Sequence, residues 1–66
     1  MVEKTKEYKD VEGFIKMYVK HGLEGLAAFH GILEYALCVN DINYDQSKQL
    51  LDDFVGRMLV PEDYED

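Results

Sequence analysis

A chain of 66 residues forms one domain. At this size only about 60% of the unfolded chain's surface can be buried, so any core is small. The apolar fraction of 47% is enough for such a core, and the one cysteine, Cys38, excludes an intrachain disulfide. The net charge of −7 argues against direct nucleic-acid binding, because neutralising phosphates needs a basic surface.

The charge is uneven. Residues 1–40 hold six acids and five bases, whereas residues 41–66 hold eight acids and two bases. An acidic half repels nucleic acid and attracts basic protein surfaces.

Met1–Lys9 is charged, without a strong period and without the apolar segment of a secretory signal. Thr5 can cap a helix start, with Glu7 in its first turn; Asp10 is the other candidate. Val11, Phe14, Ile15, Tyr18 and Val19 then recur at amphipathic-helix spacing, predicting a helix over about 8–21. Glu12, Lys16 and Lys20 share its opposite face, and Glu12 to Lys16 is the favourable order for an i,i+4 pair. Gly22 is expected to end this helix as a left-handed cap, with Leu23 packing back.

The second predicted helix spans about 23–39 and reads LEGLAAFHGILEYALCV. Wound at about 100° per residue, it gathers Leu26, Phe29, Leu33, Ala36 and Leu37 on one side. Ile32, Val39 and Ala27 widen that arc. Its other side carries Glu24, Ala28, Gly31, Tyr35 and Cys38, with Glu34 beside them. Those residues are small or amphipathic, so this helix is expected to lie in the middle of what it builds, with Ala28, Gly31, Tyr35 and Cys38 either weakly exposed on a monomer or covered by a copy or a partner. Cys38 is expected to be a buried, inert hydrophobe. The stretch falls short of the roughly 20 apolar residues of a membrane span, and its two Glu and one His make it too polar for one.

Asn40-Asp41-Ile42-Asn43 is a run of turn formers. Asn43 followed by Gln46 resembles a capping box, with Asp45 in the first turn of a third helix over about 44–60. Leu50, Leu51, Phe54, Val55 and Met58 mark its apolar face, with Ser47 in phase. Gln49, Asp52, Asp53, Gly56 and Arg57 mark its polar one. Pro61 ends it. The chain is thus expected to be all-α: a compact three-helix bundle with flexible ends at 1–7 and 61–66 and a short acidic C-terminal tail.

Sites for chemistry are sparse. Asp41-Ile42-Asn43-Tyr44-Asp45, with Asp52 at the twelfth position, resembles a calcium loop of the EF-hand type. The loop's sixth position, which needs Gly, is Gln46, and its eighth, normally apolar, is Lys48. His30 and Glu34 lie one helical turn apart, and Cys38 is rotated about 80° from His30, so the three do not converge. Of the nucleophiles Thr5, Ser47 and Cys38, Ser47 is in phase with a core stripe and Cys38 is expected to be desolvated; His21 and His30 sit on different helices without an orienting partner, and the glycines fit no phosphate loop. No enzyme, cofactor or metal site is expected.

The first expectation for function is an acidic helical interaction and regulatory protein, soluble and cytoplasmic. It docks on a basic, nucleic-acid-handling surface of a partner and inhibits it, through Asp41, Asp45, Asp52, Asp53, Glu62, Asp63, Glu65 and Asp66. The alternative is a structural homodimer built on Ala28, Gly31, Tyr35 and Cys38. A degenerate calcium- or metal-binding module is the third reading.

Overall fold

Thr5 starts the first helix. In the computed structural model, which describes residues 3–61, its backbone is extended and its hydroxyl accepts the Tyr8 amide at 3.2 Å. One of the donors that every helix start leaves without a partner is thereby satisfied. Helix α1 follows as Lys6–Tyr18, so it begins earlier than expected and takes in two residues of the segment read as a flexible end.

Its apolar phase also differs. Tyr8, Val11 and Ile15 are buried, whereas Phe14 is 37% exposed and leans on Tyr18 with ring centroids 6.3 Å apart. A phase centred on Val11 and Ile15 brings Tyr8 inward and leaves Phe14 at the margin of the stripe.

A 3₁₀ turn, Val19–His21, links α1 to helix α2, Gly22–Cys38. Gly22 has φ 63° and ψ −132°, a conformation that costs glycine least; it breaks the two helices as expected, but it follows the 3₁₀ turn and is not the left-handed cap of α1. Leu23 does not pack back, however; it is 76% exposed. A left-handed closure forms at the other end of α2 instead. Asn40 takes φ 63°, its amide donates to Leu37 O at 3.2 Å, and the Asp41 amide donates to Ala36 O at 2.9 Å. This is a Schellman closure with asparagine in the left-handed position, and it delivers Ile42 into the core at 4% exposure.

Helix α3, Tyr44–Leu59, opens with the expected capping box: the Gln46 amide donates to Asn43 Oδ1, and the Asn43 amide to Gln46 Oε1, both at 2.8 Å. The Gln46 side chain is itself buried, and its Nε2 donates to the Glu3 carbonyl at 2.8 Å. One side chain therefore caps α3 and ties residue 3 to it.

The three helices pack on one another around Tyr8, Val11, Ile15, Phe29, Leu33, Ala36, Ile42, Leu50 and Phe54. Phe29 and Phe54 are fully buried and stack with centroids 4.9 Å apart at 24°. At Gly25 the backbone of α2 lies close against the end of α1. A Cβ built on it would overlap the Tyr18 carbonyl oxygen and lie 2.8 Å from the Tyr18 carbonyl carbon.

Candidate functional site

The core contacts of α2 decide what its other face can do. Phe29, Leu33 and Ala36 are buried, and Leu26, Ile32 and Leu37 are partly buried against them. What is left forms an exposed arc: Leu23, Glu24, Ala27, Ala28, His30, Gly31, Glu34, Tyr35 and Cys38. Only Glu24, His30 and Glu34 on it are the polar kind a solvent face normally carries.

All four residues expected to mediate self-association lie on this arc. Tyr35 is 69% exposed, and a Cβ added at Gly31 would meet nothing within 4 Å. Two expectations change. Cys38 is exposed, not buried, because α2 turns its Phe29–Ala36 side inward and leaves Cys38 in line with Gly31 and Ala27. Ala27, expected to widen the core stripe, sits in the middle of the exposed arc, and Val39 is 43% exposed. His30 Nδ1 lies 3.4 Å from Glu34 Oε1, an ion pair when the imidazole is protonated, with both side chains mostly in solvent.

The acidic residues divide. Asp41, Asp45 and Asp52 are exposed. Asp53 is not on that surface: its side chain is 14% exposed and its Oδ1 accepts from Arg57 Nε at 3.3 Å, with the Arg57 side chain 18% exposed. The cause is the setting of α3. Its buried arc runs through Gln46, Leu50 and Phe54, which turns Asp53 and Arg57 inward and leaves Val55 36% exposed. Glu62, Asp63, Glu65 and Asp66 lie outside the described residues.

Between α2 and α3 lies a groove of about 310 Å³ lined by His30, Leu33, Leu37, Tyr44, Lys48 and Leu51, and Tyr44 at its edge is 74% exposed. Reading the sequence missed this groove, because only packing of the two helices creates the trough. It also missed the exposure of Leu23 and Leu59, 76% and 74%. Leucines at helix ends carry no signal beyond the periodicity that assigns them inward.

Of the candidate nucleophiles, Thr5 is used as a helix cap and Ser47 is half-buried in the first turn of α3. Burial raises the Tyr8 hydroxyl above the usual phenol value, and the nearby Glu12 and Asp53 charges raise it further. This side chain serves the core rather than a pocket. Among the described residues no three His, Cys, Asp or Glu side chains are grouped to hold a metal, and no helix is long and apolar enough to cross a membrane. Comparison with family models, curated proteins and solved structures gives no match for this chain.

Proposed function

We propose that this chain is a non-enzymatic interaction module that regulates another protein by covering a surface on it, with the exposed face of α2 as its docking surface. The observation that supports this reading is the make-up of that face: a broad arc on which Leu23, Ala27, Ala28, Gly31, Tyr35 and Cys38 outnumber the polar residues. Apolar patches left in water on a small domain mark interaction sites. Tyr35 supplies the kind of amphipathic anchor that interfaces favour, and Gly31 and Ala28 permit a close approach. The exposed carboxylates of Asp41, Asp45 and Asp52 suit a partner with a basic, nucleic-acid-handling surface, which the module would block. A pull-down from native lysate tests it. Capture of a basic partner that is released as salt rises and lost in Tyr35→Ala supports the reading; salt-independent capture refutes the electrostatic part.

A second reading is a two-fold homodimer through the same face. It is favoured by the open space over Gly31, where a second helix could lie against the backbone. Light scattering separates the two. A mass of two chains that reverts to that of a single chain in Gly31→Glu or Ala28→Glu identifies the dimer. A wild-type monomer at high concentration leaves the face to a different protein.

A further inference from the structure

Four of the seven basic residues of this acidic chain line one cleft. Lys4, Lys9, Lys16 and Arg57 surround a cavity of about 380 Å³ between α1 and α3, together with Glu12 and Gly13. We propose that this cleft is a binding site for a compact multivalent phosphate, of the size and charge of a diphosphate group.

Three features converge. The first is the lining, which carries four cations and one carboxylate, Glu12. Lys4 is held in place, with Nζ 3.4 Å from Glu12 Oε2 and 6.0 Å from the centroid of the Tyr8 ring. Arg57 is oriented by Asp53. Cationic heads oriented in this way around one open space suit an oxyanion that accepts from several donors at once.

The second feature is the phase of α1. Lys6, Lys9, Gly13 and Lys16 share an arc of about 80° when wound at 100° per residue, opposite the Tyr8–Val11–Ile15 side. The charge on that arc is of one sign.

The third feature is Gly13 itself. It lies inside α1, where glycine is a poor helix former, yet a Cβ added there would meet nothing within 4 Å. Packing within the chain therefore does not require glycine at this position, unlike Gly25. A missing side chain at the lining of a cationic cleft lets a ligand approach the helix backbone.

The whole-chain charge of −7 selects for a small ligand. Exposed acids Glu7 and Asp10 lie on the same helix, so an extended polyanion would run onto negative surface, whereas a compact anion stays within a Debye length of about 8 Å of the lysines.

The test is titration of the full chain with inorganic pyrophosphate and with orthophosphate, by calorimetry and amide NMR at roughly 0.15 M salt. We expect saturable pyrophosphate binding with Kd below about 1 mM, weaker binding of orthophosphate, and amide shifts centred on Gly13 and Lys16. Gly13→Ala should weaken pyrophosphate binding about tenfold or more while raising Tm by about 5 °C, so that loss of binding cannot be ascribed to loss of fold. Lys9→Gln should weaken it similarly, and Lys48→Gln, on α3 beside the other groove, should leave it unchanged. Absence of saturable binding, wild-type affinity in Gly13→Ala, or an equal loss in Lys48→Gln each overturns the proposal.

Discussion

Replacing Gly25 by alanine tests the packing of α2 on α1. The new methyl would overlap the Tyr18 carbonyl oxygen and come within 2.8 Å of its carbonyl carbon and 3.2 Å of His21 Cβ. The closest obstructing atoms belong to backbone, so no side-chain rotation relieves the overlap. Gly25 has no positive φ, so backbone strain plays no part. Two terms compete. Alanine is favoured over glycine inside a helix by about 1 kcal/mol. Overpacking costs about 1–3 kcal/mol or more where the neighbours cannot yield; here α2 must lift off the end of α1 and loosen contacts around Phe29. Taking about 3 kcal/mol for the overpacking and subtracting the alanine gain leaves a net loss of about 2 kcal/mol, against a total stability of roughly 3–10 kcal/mol for a domain of this length. In urea, with a slope of about 1 kcal/mol/M, the midpoint should fall by about 2 M or the chain should not fold. Far-ultraviolet circular dichroism reads the transition, with Gly31→Ala as the control: open space there predicts a gain of about 0.5–1 kcal/mol from the same chemical change. A Gly25→Ala midpoint at or above the wild-type value would refute the close approach of the two backbones.

Asn43→Ala should cost about 1 kcal/mol by removing the cap of α3, whereas Gln46→Ala should cost about 2 kcal/mol or more, because it also severs the bond to Glu3 and empties a buried site; urea midpoints compare the two. Tyr8 is held in its neutral form by burial and by Glu12 and Asp53, so its stabilising effect is complete below the ordinary tyrosine pKa of about 10 and is lost as pH rises through its raised native value. Alkaline unfolding should therefore be less steep in Tyr8→Phe, and equal pH dependence of the two chains between about pH 9 and 12 would contradict the assignment. Phe54→Ala removes a fully buried ring stacked on Phe29 and should cost about 3–5 kcal/mol, enough to leave the chain largely unfolded by thermal melt. Cys38 should react with a thiol reagent in the native monomer without denaturant, and it should become protected at concentrations where a dimer forms through α2.

The three helices were legible along the chain because their signals are local, although α1 runs over Lys6–Tyr18 and not over the expected 8–21. Thr5, Gly22, the Asn43–Gln46 pair and Pro61 act within a few residues of themselves, so capping chemistry and φ preference mark boundaries without reference to the rest of the fold. The all-α class follows from 3.6-residue periodicity alone. The exposed make-up of one side of α2 was legible too, since the wheel of that stretch contains too few polar residues to cover a solvent face.

Tertiary packing decided how each helix is rotated about its axis. An apolar stripe wider than the contact it makes leaves several rotations of similar apolar burial, and long-range contacts choose among them. In α1 the choice brought Tyr8 in and left Phe14 at the edge. In α3 the buried Gln46, bonded to Glu3, goes with a rotation that turned Asp53 and Arg57 inward, away from the acidic surface their sequence positions suggested. In α2 it placed Ala27 and Cys38 in solvent. The cationic cleft belongs to the same class of fact. Lys4, Lys9 and Lys16 are far along the chain from Arg57, and the charges of the N-terminal part sum to nearly neutral, so no local count reveals them; the packing of α3 against α1 brings them to one place.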